Sequence, residues 1–453
     1  MDRNALIRLG KQIVEQGYFN NLVYLHQACD QGKWYFFDDS IWREDIDKQH
    51  ERTLKQIYRE NTSKNPGDPE YIRNCEKLSD STKWNNLLRI MRTEPEISRV
   101  QEDFDQNQNL LNLRNGTLDL STGEFRKNRA DDMLTMQMNV KYDPKAQCPR
   151  WLSFLDEVFC GEQEVIDYIQ RYIGYGISSS TEEQCFLFLF GEGMNGKSVF
   201  TETLITMMGD YGVKSNNMAI SEAKGSSAKD RKEQIKADWI NKRMVFFCET
   251  GMEMRLDEAA IKEMTGNNTL GYRKLYKDFK TFKATQKFIL EGNYLPKIKG
   301  LDLGMWRRVN IVRFGRTFVA EEIDRDLLSK LEKELDGIFN WVLEGYFKWK
   351  ANGLGTAPAS MLIELKKYHT EMDILGQFIE ECLQDSPDSF AETNEMYSAY
   401  SQWLAKNGYD LRVSQRKFTE ELKKRGYQLD RSNIHKPIFH GIEILSRDSK
   451  LET

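Results

Sequence analysis

The sequence has no apolar run long enough to cross a membrane and no closely spaced pair of cysteines. None of its apolar stretches approaches the roughly 20 residues of a transmembrane helix, and the amphipathic N-terminus does not resemble a signal peptide. The seven cysteines are scattered without a C-x-x-C pair, at positions 29, 75, 148, 160, 185, 248 and 382. Such a set indicates reduced thiols and excludes a disulfide framework or a zinc site. We therefore expect a cytoplasmic protein without membrane partners.

An excess of positive charge and a cluster of histidines are also lacking. The net charge is −5 over 453 residues, so nothing attracts the whole chain to nucleic acid and any such binding must use local basic patches. The five histidines are dispersed, and His435 and His440 share a segment without a cysteine partner. At this length and with 40% hydrophobic residues, the chain can form about two to four domains with sizeable cores.

The pattern along the chain predicts three parts. Residues 1–145 form a mixed α+β N-terminal domain, in which Asn115-Gly116 indicates a hairpin. Residues 146–350 alternate helical stretches with apolar strands, which is typical of a parallel α/β sheet. The Gly- and Pro-bearing stretch 351–360 is a predicted linker to a largely helical C-terminal domain, 361–453. The predicted strands of the α/β part are 185–190, 243–248, 287–292 and 309–314.

The segment CFLFLFGEGMNGKSVF, residues 185–200, carries the most specific motif. A buried strand precedes residues that match G-x-x-x-x-G-K-S, and a helical run follows, which is the context that a phosphate-binding loop requires. In such a loop Lys197 supplies a cation to the β- and γ-phosphates, and Ser198 supplies a hydroxyl to Mg²⁺. The alternative is a chance glycine-rich turn. The predicted ATP-binding residues are Gly191, Glu192, Gly193, Met194, Asn195, Gly196, Lys197, Ser198 and Val199.

A second buried strand, 242–250, ends in a carboxylate. A P-loop NTPase needs an acid at the C-terminal edge of the neighbouring strand, where it orders Mg²⁺ or polarises the attacking water. We interpret Glu249 as the only acid at that edge, so Glu249 and Ser198 form the predicted magnesium site. A solvated strand end is the alternative reading of Glu249.

Two polar features accompany the last two predicted strands. Asn293 follows strand 287–292, where an amide can hydrogen-bond the γ-phosphate or the lytic water. Arg307 and Arg308 precede strand 309–314, where an arginine can insert into the site of a neighbouring subunit. Such an arginine finger contributes roughly 10³–10⁵ in rate. The alternative is an ordinary pair of surface arginines.

Residues 266–287 interleave cations with aromatic side chains. Cations follow a phosphate backbone and aromatic rings stack on bases, which is the combination expected for binding of single-stranded DNA. A solvated charged face is the alternative. The cations are Arg273, Lys274, Lys277, Lys280, Lys283 and Lys287, and the aromatic residues are Tyr272, Tyr276, Phe279 and Phe282.

The C-terminal domain reads as helices followed by a strand-like tail, an order that resembles a winged helix. Helices of this type enter the major groove of duplex DNA. A protein-docking domain with solvated charges is the alternative. The basic residues of the expected recognition region are Arg412, Arg416, Lys417, Lys423, Lys424 and Arg425.

Taken in order, the motifs GEGMNGKS, VFFCE, IKEMTGNN, KFILEGNYLPKIKG and WRRVNIVRF resemble those of the superfamily 3 helicases. They are most similar to the primase-helicase branch of phages, plasmids, mobile islands and poxviruses, over residues from about 100 to 450. The resemblance implies a hexameric AAA+ ATPase with a helical collar at 146–180 and a P-loop core at 181–350. Nucleotide would lie between subunits, and DNA would pass through the centre.

The resemblance also implies roles for single residues. Lys197 and Ser198 match the phosphate-loop pair, Glu249 the second acidic motif and Asn293 the polar sensor. The arginine finger falls at Arg308 or, failing that, at Arg307. Lys262 occupies the position of a second basic residue that acts in a neighbouring subunit, and Lys277 lies near the tip of a pore hairpin. One departure is Cys248, because many relatives have two adjacent acids in this motif. The division of the magnesium and water roles of Glu249 therefore stays open.

These observations predict a replicative DNA helicase of a phage or other mobile element, working in a bacterial cytoplasm. ATP and Mg²⁺ would drive a homohexamer along single-stranded DNA, 3′→5′ by family resemblance, and duplex DNA would be the second nucleic-acid partner. No primase signature, such as an acidic D-x-D triad on predicted strands or a zinc ribbon, precedes the ATPase motifs, so a separate primase or other replication protein is the expected partner. The alternatives are an origin-recognition protein that melts DNA without processive unwinding, and a P-loop motor for packaging or RNA.

Overall fold

The computed structural model describes residues 3–26, 32–63, 69, 73, 81–223, 225–251, 254–266, 269–273, 279–299, 302–409, 413–431 and 436–445. Three predicted DNA-binding residues, Lys274, Lys277 and Arg412, lie outside these ranges. The chain divides into two compact units, 1–297 with 303–362 and 363–453 with 298–302. The division at 362/363 lies close to the predicted linker, whereas no division falls at 145/146. No helix in the described residues is long and apolar enough to cross a membrane.

The first unit begins with a small sheet covered by helices. Strand β1 pairs with β2 antiparallel and with β4 parallel, and the sheet order is β3-β2-β1-β4. Buried leucines and isoleucines of the helices, such as Leu9, Ile13 and Leu54, pack against the sheet. The elements are α1 Arg3–Glu15, β1 Leu22–Leu25, β2 Lys33–Phe37, β3 Trp42–Glu44, α2 Gln49–Ser63, α3 Ser81–Met91 and β4 Ser98–Arg99.

A second small sheet belongs to the core of the following α/β part. It contains β5 (Leu110–Leu113), β6 (Gly116–Asp119) and β7 (Phe125–Arg126), and the β5–β6 pairing confirms the predicted hairpin. Leucines of β5 and β6 are buried in one cluster with the α/β strands. Arg243 donates hydrogen bonds to the carbonyls of Gln108 (3.1 Å) and Leu110 (2.8 Å). This shared core is the physical reason that the predicted boundary at 145/146 separates no compact units.

Five parallel strands form the central sheet. Its order is β14-β8-β13-β10-β9, which is 5-1-4-3-2 when the strands are counted along the chain. The four strands predicted from apolar runs are present, and β9 is an additional short edge strand. The strands of this sheet are β8 Phe186–Phe190, β9 Gly212–Lys214, β10 Met244–Thr250, β13 Lys287–Gly292 and β14 Val309–Arg313. Two further strands, β11 Thr269–Arg273 and β12 Phe279–Lys283, follow β10 along the chain and pair antiparallel in a separate sheet.

Helices flank this sheet, and aromatic side chains fill the space between them. Trp151 stacks on Phe200 and meets Trp341 edge-on, which joins three helices in one core. The helices are α4 Pro149–Val158, α5 Gln163–Gly176, α6 Lys197–Met208, α7 Ser226–Lys236, α8 Glu258–Gly266, α9 Leu303–Trp306, α10 Leu327–Glu332 and α11 Leu335–Asn352. Helix α12, Ala359–Met372, runs across the division at 362/363.

The second unit has the order helix, strand, two helices and two strands. Strand β17 pairs antiparallel with both β15 and β16, and Phe378, Tyr400 and Phe418 pack together beneath this three-stranded sheet. The elements are α13 Ile374–Cys382, β15 Leu383–Glu392, α14 Thr393–Lys406, α15 Gln415–Lys424, β16 Leu429–Arg431 and β17 Pro437–Ile444.

Candidate functional site

The loop between β8 and α6 has the backbone conformation that only a glycine-rich segment adopts easily. Gly193, Met194 and Gly196 have φ angles of 71°, 46° and 88°, in the left-handed region. A Cβ at Gly196 would lie 2.9 Å from side-chain atoms of both Phe154 and Val158. Gly196 is therefore required both by its backbone conformation and by its close approach to α4, and α6 begins directly after it.

Lys197 is a buried cation surrounded by neutral oxygens. Only 4% of the residue is exposed, and its Nζ donates to the Gly191 carbonyl at 2.7 Å and to the side-chain oxygens of Asn195 and Asn293, each at 3.0 Å. Burial lowers the pKa of Lys197, and the negative charge of Glu291 opposes that shift. No carboxylate oxygen in the described part of the chain lies within 4 Å of this nitrogen. A buried charge without a counter-ion is costly, so the site favours an anion.

Asn195 adds an unused donor to the same loop. Its Nδ2 is buried and has no hydrogen-bond partner among the described residues, while its Oδ1 accepts from Lys197. The predicted ATP-binding loop thus holds a buried ammonium and a buried amide donor, both of the kind that phosphate oxygens accept. The structure also brings the predicted sensor Asn293 into contact with Lys197, next to the loop.

The edge of the sheet carries an acid that the sequence analysis missed. Glu291, near the end of β13, is 6% exposed, and its Oε1 accepts a hydrogen bond of 2.7 Å from Ser198 Oγ. The expectation that Glu249 is the only acid at this edge is therefore wrong. The signal that would have found it is a carboxylate directly after the apolar residues Phe288–Leu290 and directly before Gly-Asn.

Glu249 lies at an irregularity of β10. The register between β10 and β13 shifts between Phe247 and Thr250, and Glu249 has a φ angle of 58° and is exposed. Asn217 Nδ2 donates to the carbonyls of Cys248 at 2.9 Å and of Glu249 at 3.3 Å, which holds the bulge. Within the described residues, no three His, Cys, Asp or Glu side chains form a preformed metal cluster. A magnesium ion would therefore depend on nucleotide phosphates and water for most of its ligands.

The two candidate finger arginines differ in exposure. Arg308 is 7% exposed, and its guanidinium donates to Thr265 Oγ1 at 2.9 Å and to the Gly304 carbonyl. Arg307 is exposed and donates to Gln184 Oε1 at 2.8 Å. By exposure, Arg307 is a better candidate for the arginine finger than Arg308. Only an exposed side chain can reach a neighbouring subunit without breaking buried contacts. Lys262 lies half-buried on α8.

The basic and aromatic segment forms the β11–β12 hairpin. Arg273 and Lys280 are exposed, Phe279 is 51% exposed, and Tyr272 and Phe282 meet edge-on. Arg273 lies 3.8 Å from Asp230 and 4.0 Å from Glu233, so acids of α7 partly neutralise it.

Lys287 departs from the expectation for this segment. It is 1% exposed, lies over the Tyr175 ring, and its Nζ donates to the carbonyls of Ser178, Ser180 and Thr285. The structure therefore removes Lys287 from the predicted DNA-contacting set, because its ammonium group cannot meet a phosphate.

Replacing Lys287 and Lys283 should separate stability from DNA binding. Lys287→Ala should lower the free energy of unfolding by about 3 kcal/mol, because buried carbonyls lose their donor. Lys283→Ala, at an exposed position, should leave stability unchanged and lower the slope of log affinity against log salt for single-stranded DNA by roughly 0.7. Urea unfolding and salt-dependent fluorescence anisotropy measure the two effects. The reverse pattern would contradict the burial of Lys287.

The basic residues of the C-terminal unit lie mainly on α15. Arg416, Lys417, Lys423 and Lys424 are all exposed. Two of them pair with acids of the same helix, Arg416 with Glu420 at 3.0 Å and Lys424 with Glu421 at 2.8 Å. Arg425 pairs with Asp373 at 2.5 Å. Part of the predicted positive charge is thus compensated within this unit.

Three segments of the chain match known families. Residues 23–160 match the family described as D5 N terminal like, and residues 370–428 match Poxvirus D5 protein-like. Residues 189–308, which contain the phosphate-binding loop and the Arg307-Arg308 pair, match a family of unknown function, DUF5906. The match to the D5 N terminal like family extends past residue 145, and so does the hydrophobic core that β5 and β6 share with the α/β part.

Viral proteins are among the relatives of this chain. "Putative helicase L207/L206" of Acanthamoeba polyphaga mimivirus is 24% identical over 445 residues, which are 88% of this chain and 45% of that protein. "Putative helicase 121R" of Invertebrate iridescent virus 3 is 25% identical over 402 residues, 80% of this chain and 41% of that protein. "Putative primase C962R" of African swine fever virus is 22% identical over 336 residues, 68% of this chain and 34% of that protein. The chain spans less than half the length of these relatives.

The fold is similar to that of a solved structure described as "The apo structure of NrS-1 C terminal region (305-718)". The TM-score is 0.50 at 11% identity, with 98% of this chain and 100% of that chain covered. At this identity the likeness concerns the mixed α/β fold alone. Two segments of the chain thus match the D5 N terminal like and Poxvirus D5 protein-like families, and the chain is similar at low identity to viral proteins named "Putative helicase" and "Putative primase".

Proposed function

We propose that this chain is the ATP-dependent motor of a DNA replication protein, a helicase of superfamily 3 with an AAA+ core. One observation carries the proposal: Lys197 is buried without a counter-ion in a glycine-rich loop and contacts Asn293 at the end of the adjacent strand. A P-loop lysine and a polar sensor in contact are the parts that bind a γ-phosphate. The 5-1-4-3-2 strand order and the viral helicase homologues support the same function.

In this proposal Lys197 and the backbone of residues 191–199 bind the phosphates of ATP, and Ser198 faces the Mg²⁺ that accompanies them. Glu249 acts as the base that polarises water, and Asn293 orients the γ-phosphate or that water. Magnesium, when bound, neutralises charge on the leaving phosphates. Arg307, in preference to Arg308, completes the site of a neighbouring subunit, with Lys262 as a second basic group. Such sharing requires an assembly of several subunits, and the family resemblance supports a homohexamer.

Two surfaces are assigned to DNA. The β11–β12 hairpin, with Arg273, Lys280 and Lys283 exposed beside Phe279, would contact single-stranded DNA. The C-terminal unit, which we interpret as a winged helix from its element order, would use exposed lysines of α15 to capture duplex DNA. Movement in the 3′→5′ direction and a bacterial host are proposed on the family resemblance alone, and a separate priming protein on the lack of a primase signature before the ATPase motifs.

The exposed cations of α15 favour a second candidate, an origin-recognition protein that captures and melts DNA without processive unwinding. A forked DNA substrate with a single-stranded 3′ tail separates the two candidates. We expect the purified chain to unwind the fork only with ATP and Mg²⁺, and the Lys197→Ala variant to fail. Local melting without strand separation would favour origin recognition. Stronger stimulation of ATPase activity by RNA than by single-stranded DNA would instead favour an RNA motor.

A further inference from the structure

Glu291 is a buried carboxylate that forms no salt bridge among the described residues, and the charges of Lys197 and Lys214 act on it only from beyond 4 Å. It is 6% exposed, and among the described residues its only hydrogen bond comes from Ser198 Oγ, at 2.7 Å. No Lys, Arg or His nitrogen in the described chain lies within 4 Å of its oxygens. A buried carboxylate is costly unless a cation compensates it. The geometry therefore indicates a site for a cation beside the hydroxyl of the phosphate-binding loop.

The strand order explains why Glu291 reaches this position. Strand β13 lies between β8 and β10, and Glu291 pairs with Leu189 of β8, two residues before the loop begins. On the other side Leu290 pairs with Phe247, which places Glu291 beside Cys248. Glu291 therefore supplies a carboxylate at a level of the sheet where β10 carries a cysteine, Cys248.

Gly292 lets the two strands approach at this point. A Cβ at Gly292 would overlap Thr250 Oγ1 and come close to the Phe188 ring. The glycine keeps β13 close to both neighbouring strands directly after Glu291. It also leaves Asn293 in place to contact Lys197 at 3.0 Å. One short segment, 291–293, thus positions both a carboxylate and an amide at the phosphate-binding loop.

We propose that Glu291 is the acid that organises the magnesium ion of MgATP, through the Ser198 hydroxyl, in place of an acid at position 248. Mg²⁺ prefers oxygen ligands and keeps several water molecules, which a carboxylate next to the ion orients by hydrogen bonding. A hydroxyl that donates its proton to Glu291 also leaves its lone pairs directed at the cation. Glu249 is then free to act on water alone. This inference rests on the proposed ATPase function.

The test compares nucleotide affinity with and without magnesium. Glu291→Gln keeps the size of the side chain and an acceptor for Ser198, so folding should be preserved, which a thermal melt verifies. We expect the affinity for ATP in EDTA to stay within about twofold of wild type, and the gain in affinity on adding Mg²⁺ to fall by about 10–100-fold. Isothermal titration calorimetry measures both. Glu344→Gln, at an exposed site paired with Lys348, is the matched control and should behave as wild type.

Relocating the carboxylate provides the second arm. The double variant Glu291→Ala, Cys248→Asp should regain at least about tenfold of the magnesium-dependent affinity that Glu291→Ala alone has lost. A structural role of Glu291 would give no such rescue. Wild-type magnesium dependence in Glu291→Gln, or absence of rescue, overturns the inference while leaving the ATPase function intact. Equal MgATP binding by wild type and Lys197→Ala would instead overturn the proposed function, and the inference with it.

Discussion

Lys197→Ala should abolish nucleotide binding and with it every ATP-dependent activity of the chain. The side chain is buried at 4% exposure with neutral oxygens around it, so no other cation in the loop can replace it. Losing one partner of a buried charge pair costs about 2–5 kcal/mol, which corresponds to a loss of affinity from about 30-fold to several thousandfold. Displacement of a fluorescent ATP analogue measures the change. Lys348→Ala, at a half-buried lysine outside the loop that pairs with Glu344 and donates to Gln170, is the control and should bind as wild type does.

Glu249→Gln should give the complementary result. The residue is exposed on a bulge of β10, and the proposed site uses it for water and not for phosphate. Binding of MgATP should therefore persist, and single-turnover hydrolysis should fall by about 10²–10⁴-fold, the usual contribution of a general base. Unimpaired hydrolysis in this variant would remove Glu249 from the site.

Arg307→Ala should reduce steady-state ATPase activity by about 10³-fold or more, in the range measured for arginine fingers. Its exposure is compatible with insertion into a neighbouring subunit, because its described contact is a single hydrogen bond with Gln184. Mixing Arg307→Ala chains with Lys197→Ala chains should restore part of the activity, since some interfaces then pair an intact loop with an intact arginine. The measurement is the ATPase rate against mixing ratio, with mixed assembly verified by differently tagged chains.

Arg308→Ala is the informative comparison for that experiment. Its guanidinium bonds Thr265 and Gly304 within the same chain, so its loss should lower the unfolding temperature, whereas Arg307→Ala should not. If Arg308→Ala chains recover ATPase activity when mixed with Lys197→Ala chains and Arg307→Ala chains do not, Arg308 is the arginine finger. Absence of recovery with either variant would contradict a shared active site.

The sequence predicted the central strands well because each is an apolar run between polar segments. Strands 185–190, 287–292 and 309–314 differ from the observed ones by one residue or none at either end. Strand β9 was missed because Gly-Val-Lys is too short to show a periodic pattern. The phosphate-binding loop was predictable because its motif is local in sequence.

The errors concern residues whose role depends on which strands are neighbours. Glu249 ends the next long strand along the chain, but β13 and not β10 lies beside β8, so Glu291 is the acid that contacts Ser198. Lys287 and Arg308 carry charges that a sequence pattern assigns to the surface, yet both are buried with several hydrogen bonds. Neither strand order nor the burial of an individual charge can be read from local composition.

The attachment of the small β5–β7 sheet has a consequence for how this chain can evolve. Besides the bonds from Arg243, Tyr346 and Lys350 donate to the Leu120 carbonyl. Residues next to β10 and on α11 are thus bonded to backbone atoms in or next to that sheet. Backbone acceptors tolerate sequence drift, because they persist whatever side chain the residue carries. The small sheet and the central parallel sheet should therefore be inherited as one piece that diverges freely in sequence. Residues 363–453 belong to a separate unit, so we expect their exchange between lineages to leave that piece undisturbed.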